Sequence, residues 1–181
     1  MNPGDLVTWA QVKDVLSLDD DRQELTEFLI SAASATAERI AGRFLAARDL
    51  EVSMDADGAS SFLLPSYPVN RIDTLSVNGQ ELLPENFKID SQAGIIRLRR
   101  AVSGWESICE FKGNIGYDPV PYDLQQAVIE TVSANLRRFA GSGGSVGIKQ
   151  MSANGAITTQ YEIDVPVSSR SVFISYRGVR V

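Results

Sequence analysis

Five stretches of this 181-residue chain place chemistry-bearing side chains close together. Asp19-Asp20-Asp21 and the pair Asp55/Asp57 concentrate carboxylates, which a calcium ion or a general acid–base step would use. The aspartate run lacks the alternating spacing of a calcium loop. It stands just before a helical pattern, where negative charge suits a helix N-terminus. Asp55-Ala56-Asp57-Gly58 is a turn signal, so that carboxylate pair reads as a solvated hairpin tip. Ala140-Gly141-Ser142-Gly143-Gly144-Ser145-Val146-Gly147 is the only lookalike of a phosphate loop. It follows a helical pattern rather than a strand, contains no Gly-Lys-Ser/Thr, and has Val146 where the dinucleotide pattern needs its last glycine; it reads as a flexible linker. Within it, Gly143-Gly144-Ser145-Val146-Gly147 has the form of a nucleophile elbow with no histidine to activate the serine. The chain has no histidine at all, which removes the commonest general base, the commonest metal ligand and every Ser-His or Cys-His pair. An enzyme built here would need a metal held by carboxylates alone. The single cysteine, Cys109, cannot form an internal disulfide, which makes a reducing, cytosolic origin the expectation; its alternation with Ser107 and Phe111 reads as a buried strand position.

What remains is arginine. Arg97, Arg99 and Arg100 are the densest basic cluster of the first 140 residues. Strand alternation puts Arg97 and Arg99 on one face and Arg100 on the other, so they form no continuous phosphate stripe. Two readings stay open: pairing with acidic residues of a neighbouring subunit, or solvation on an edge strand as protection against aggregation. Arg177 and Arg180 flank Tyr176, a combination enriched in interface hot spots; docking on a partner and plain solvation are both open there. Residues 1–140 hold 13 basic and 21 acidic side chains (net −8), whereas residues 141–181 hold 4 and 2 (net +2). Gripping nucleic acid needs clustered Lys and Arg, so this charge placement argues against a body that does so. The 44% hydrophobic and 22% charged content is that of a soluble globular chain. No apolar run approaches the roughly 20 residues that span a bilayer, and the acidic, Pro-Gly-containing start is unlike a signal peptide.

The elements that position these residues follow from periodicity. Thr8-Trp9-Ala10-Gln11 predicts a capping box opening a short helix through Leu16. Asp20 with Gln23 predicts a second cap. Leu25, Leu29, Ala33, Ala37, Ile40 and Phe44, with Phe28 and Ala32 beside them, predict a long helical stripe whose small middle admits another helix closely. Gly116-Tyr117-Asp118-Pro119-Val120-Pro121 ends a strand-rich region, and Leu124, Val128, Val132, Leu136 and Phe139 predict the helix that docks on that stripe. Between them, Leu50–Met54 predicts a strand that turns through 55–58 and returns as Ser61–Leu64, with Pro65 and Pro68 interrupting. Arg71–Val77 meets Asn78-Gly79, a strong hairpin signal, and Gln80–Leu83 returns. Phe87–Asp90, Gly94–Arg99 and Ser107–Lys112 complete a small antiparallel sheet or sandwich. Beyond the linker, 157–163 and 171–176 read as strand segments of an extended arm. The expected fold is α+β: a small bundle (short helix, long Ala-rich helix, C-terminal-side helix) with an inserted antiparallel β-sheet and an extended C-terminal arm. Residues 1–140 form one domain (helices in 8–46 and 120–140, insertion 49–118), followed by linker and arm in 141–181.

The order of short helix, long helix ending Gly42-Arg43-Phe44-Leu45, insert with Leu64-Pro65-Ser66-Tyr67-Pro68-Val69 and Ile72, then Gly116-Tyr117 through Val120-Pro121 and Ala127, resembles the head-tail connector (adaptor, head-completion) proteins of tailed bacteriophages and prophages. The ending Tyr176-Arg177-Gly178-Val179-Arg180-Val181 is similar to the arginine-rich terminus of one branch. The resemblance implies a non-enzymatic structural protein without cofactor, metal or membrane. It would form a homo-oligomeric ring, commonly of twelve subunits, below the portal protein at the head-tail interface (neck) of the virion, after assembly in the host cytoplasm. The ring would join the portal to a stopper, head-completion or tail protein, and double-stranded DNA would pass through its channel without specific binding. It also implies that the terminal arm reaches the portal, with Tyr161, Arg170, Phe173, Tyr176, Arg177 and Arg180 as its contacts. Arg97, Arg99, Ala33, Ala37 and Arg137 are the expected intersubunit residues. The alternative is a DNA-packaging accessory that binds nucleic acid through Arg97, Arg99, Arg137 and Arg138. The insert at 49–118 is larger than in the shorter members, which leaves open the surface that meets the tail side.

Overall fold

A computed structural model describes residues 4–56, 58–102, 104, 106–141, 148–153, 156–161 and 163–178, with 141, 148–153 and 156–161 described by their backbone. The chain divides into two compact units, Met1–Gly42 with Val120–Arg177, and Arg43–Pro119 with Gly178–Val181.

In the helical unit, α1 (Trp9–Leu16) opens on the expected capping box. The Gln11 N–H donates to Thr8 Oγ1 at 3.2 Å, and Gln11 Oε1 accepts from the Thr8 N–H at 2.8 Å. The second expected cap does not form. A 3₁₀ turn occupies Asp20–Arg22, and α2 (Gln23–Ala41) starts without a side-chain cap. Asp20 instead accepts from Lys13 Nζ at 2.5 Å, and that hydrogen bond is the main reason the lysine pKa is raised. Helix α2 stops three residues short of Phe44 because Gly42 turns left-handed, with φ 69°. The buried face of α2 runs through Thr26, Leu29, Ile30, Ala33, Ser34, Ala37 and Ala41, whereas Phe28, read as flanking the stripe, is exposed.

Helix α3 (Tyr122–Gly141) buries Leu124, Ala127, Val128, Val132 and Leu136 and packs on α2 as the small-residue stripe predicts. A backbone hairpin follows, β8 (Ile148–Ala153) antiparallel to β9 (Ala156–Tyr161). The segment 171–176, read as a strand, lies in a helix instead: α4 (Val167–Ser175) contacts both α2 and α3. Val172, Phe173 and Ile174 favour strand locally, but burial of Ser169 and Phe173 in the bundle overrides that preference. The described part of 148–178 is therefore a hairpin and a docked helix rather than an extended arm.

In the second unit, β1 (Arg48–Asp55), β3 (Val69–Val77), β4 (Gln80–Glu81) and β7 (Ile108–Ile115) form an antiparallel sheet of order β1-β7-β3-β4. A second sheet holds β2 (Ser61–Leu63), β6 (Ile95–Leu98) and β5 (Phe87–Asp90) in the order β2-β6-β5. Both sheets contribute to one core containing Ala56, Phe62, Leu64, Leu75, Ile96, Cys109, Phe111 and Ile115. The Asn78-Gly79 turn has φ of 52° and 75°, the positive pair that a two-residue hairpin needs. One expectation changes: Ser61–Leu64 does not return onto Leu50–Met54. Strand β1 pairs with β7 and β2 pairs with β6, so the turn after Asp55 carries the chain from one sheet to the other.

Candidate interaction surfaces

The motifs that carried the family resemblance converge on one side chain, Arg43. It is only 7% exposed. Its guanidinium lies 3.9 Å from the Tyr67 ring centroid and 5.3 Å from that of Tyr117. Its Nη2 donates to the Tyr117 hydroxyl at 3.0 Å, and its Nη1 donates to the Tyr67 carbonyl. Nearby, Ser66 Oγ donates to the Phe44 carbonyl at 2.5 Å, and the Tyr117 N–H donates to the Leu45 carbonyl at 2.8 Å. Gly42-Arg43-Phe44-Leu45, Ser66-Tyr67-Pro68 and Gly116-Tyr117 thus form a structural clasp. A planar cation stacked on aromatic faces and hydrogen-bonded at its edge is an arrangement lysine cannot reproduce. The sequence shows these motifs but not their convergence; the available signal was one arginine among tyrosines in segments far apart in the chain.

The residues expected on a portal-binding arm fall in different settings. Tyr161 is the last residue of β9, and Arg180 lies outside the described residues. Arg170 is exposed on α4. Phe173 is fully buried and, within this chain, belongs to the helical core. Tyr176 is half-buried, and its hydroxyl donates to both Asp123 carboxylate oxygens at 2.7 and 2.9 Å. Arg177 is exposed, with Nε 3.5 Å from the Ile40 carbonyl. The approach to α4 is held as well. Asn135 Nδ2 donates to the Asp164 carbonyl at 2.9 Å, and Arg138 pairs with the Asp164 carboxylate at 3.2 Å. The Ser168 and Ser169 hydroxyls donate to Glu130 Oε2 at 3.2 and 3.0 Å.

Ala33 and Ala37 have no exposed surface. Within this chain they pack inside the helical unit, where small side chains let α3 and α4 approach α2. Arg97 is exposed on β6, and Arg99 and Arg100 are exposed just beyond it. The expected alternation lapses because β6 ends at Leu98; Arg99 and Arg100 border the same depression of about 600 Å³, with Gln80 and Asn86. The four arginines of the DNA-binding alternative are divided, Arg97 and Arg99 in one unit and Arg137 and Arg138 in the other. Asp55 is exposed on β1, and Asp57 and the run 142–147 lie outside the described residues. Cys109 is buried as expected, and burial pushes its thiol pKa up. Among the described residues no group of three His, Cys, Asp or Glu side chains could hold a metal ion, and no helix is long and apolar enough to cross a membrane.

Two open depressions of the helical unit carry apolar surface. A groove of about 680 Å³ runs between the end of α1 and the outer face of α3. Its apolar lining is Val15, Leu16, Tyr122, Ile129, Ala134 and Pro166, with Arg137 at one end. Val15 and Tyr122 are 64% and 87% exposed. A second hollow of about 500 Å³ lies between the start of α1 and the first turns of α2. There Phe28, 67% exposed, stands among Asp5, Glu24 and Glu27.

Among the solved structures that resemble the chain, three match it over nearly its whole length. One is in the neck of an empty gene transfer agent (GTA) particle computed with C6 symmetry, at 21% identity and TM-score 0.65, covering 99% of this chain and 93% of that one. A second is in the virion of a native GTA particle, at 18% identity and TM-score 0.64, covering 100% and 94%. The third is in the neck of a native GTA particle computed with C12 symmetry, at 17% identity and TM-score 0.56, covering 100% and 97%. At these identities the likeness establishes a shared fold. No curated protein matches the chain in sequence. The model of one family, "HCP: Head completion protein", matches residues 5–178, and the chain belongs to that family.

Proposed function

We propose that this protein is a non-enzymatic connector in the neck of a tailed phage, prophage or GTA-like particle. It forms a ring under the portal, around the DNA channel, and offers the next neck or tail protein its platform. The observation that carries this reading is the family match across residues 5–178, joined to chains of the same fold from particle necks computed with C6 and C12 symmetry. Charge supports it: a net −6 repeated around a ring attracts DNA weakly, which suits a conduit through which a genome slides. Arg170, exposed on α4, and Arg177, exposed just beyond it in sequence, are basic residues of the C-terminal segment available to meet an acidic portal surface. Mixing the protein with purified portal rings and imaging the product tests the proposal. A ring added to the portal is expected; portals that stay bare at saturating protein refute it.

A further inference from the structure

We propose that the α1–α3 groove and the exposed Phe28 face of α2 are the two halves of one self-interface, in which Phe28 of one copy seats in the groove of the next. The inference rests on the ring reading above and identifies its contact surfaces. A cyclic ring is heterologous: each copy must carry two different, mutually complementary faces. The groove and the Phe28 hollow share no residue, and both lie in the helical unit.

Their chemistry matches. Phe28 is a large exposed aromatic, the kind of anchor that fills a partner's pocket. The groove offers Val15, Leu16, Ile129 and Ala134 as apolar wall, with Tyr122 exposed at its edge. Around Phe28 the charge is negative, from Glu24 and Glu27. In the groove the cation is Arg137, whose guanidinium donates to the Ser133 hydroxyl at 2.9 Å and pairs with no carboxylate among the described residues. The acidic side chain of the groove, Glu130, is already engaged: Oε2 accepts from Ser168 and Ser169, and Oε1 accepts from Gln126. Glu24 or Glu27 of one copy therefore meets Arg137 of the next with little opposing charge.

Helical spacing also fits. Glu24, Glu27, Phe28 and Ser31 lie on one face of α2. Tyr122, Gln126, Ile129, Ser133 and Arg137 run down α3 opposite its buried Leu124, Val128, Thr131 and Asn135. Two ridged helical faces of this kind pack side by side.

The test uses the full chain carrying Phe28→Asp (knob disabled), Ile129→Asp (groove disabled), Arg137→Glu, and Arg137→Glu combined with Glu24→Arg and Glu27→Arg. Ring formation on purified portals and self-association by sedimentation are measured, with thermal melts to confirm folding. Each disabled variant is expected to melt with the wild type and to lose ring formation at least tenfold, and the charge-reversed triple variant to recover it. Mixing Phe28→Asp with Ile129→Asp leaves one good knob facing one good groove, so the mixture is expected to stop at dimers. Wild-type rings together with equal rings from both Asp variants overturn this interface while leaving the connector reading intact. Variants that self-associate normally but no longer bind the portal also overturn it, by making the groove a portal site. A wild type that forms no ring even on the portal overturns the connector reading itself.

Discussion

Replacing Phe173 with alanine separates a docked α4 from a free arm. The Phe173 ring has no exposed surface and sits on a helix packed against both α2 and α3. A buried aromatic side chain removes roughly 150–250 Å² from water. At about 25 cal/mol per Å² that corresponds to about 4–6 kcal/mol, and measured Phe→Ala costs in cores are about 3–5 kcal/mol. Against a typical stability of about 5–15 kcal/mol, the loss is a large fraction of the total. With a urea slope of about 2 kcal/mol/M, a loss of 4 kcal/mol moves the unfolding midpoint down by about 2 M. Urea titration followed by circular dichroism at 222 nm measures this, with Arg170→Ala, exposed on the same helix, as a control expected within about 0.5 kcal/mol of wild type. A Phe173→Ala midpoint within about 1 kcal/mol of wild type would refute the placement of α4 in the core.

Arg43→Lys keeps the charge but loses the stacking on Tyr67 and the second hydrogen-bonding nitrogen; a loss of about 2–4 kcal/mol by the same titration is expected, and an unchanged midpoint sinks the clasp. Cys109 should resist a thiol reagent in the native protein and react on unfolding, because its thiol is fully buried and its pKa is held above the ordinary 9.0, by burial first and Glu110 second. Since the folded value is raised, the contribution to stability is whole below about pH 9 and fades as the pH rises toward the folded value. Cys109→Ala should flatten that alkaline decline, and an identical pH profile in both proteins counts against it.

Much of the fold was legible because local signals agreed with tertiary ones. The Thr8/Gln11 box, the Asn78-Gly79 hairpin and the alternation of Leu50–Met54 each specify structure over a few residues. The docking of α3 was legible because Ala33 and Ala37 leave room for it. Residues 171–176 misled because Val, Phe and Ile favour a strand, and only the bundle supplies a reason for them to coil. The partner of Ser61–Leu63 was hidden because sequence proximity favours a hairpin, whereas β6 lies more than thirty residues on. Site residues were less legible still. A helical stripe does not reveal which residues at its margin face solvent, so the spacing alone sets Phe28 beside the core and leaves the outer face of α3 unmarked.

The interleaving of the two units bears on how the protein is made. Every strand of the two main sheets lies between Arg48 and Ile115, so both sheets have all their strands once this stretch has left the ribosome. The helical unit does not. Helix α2 emerges early with Leu29, Ile30 and Ala33 uncovered, and its partners α3 and α4 follow only after the whole β insert. Domains tend to fold as they emerge, and contacts distant in sequence close late. The nascent chain therefore carries a finished set of strands and an unclosed helix: the residues around Phe28 emerge first, whereas the groove that is proposed to receive them exists only once α3 and Pro166 have followed the insert, so an early copy has the knob but not yet its receptor.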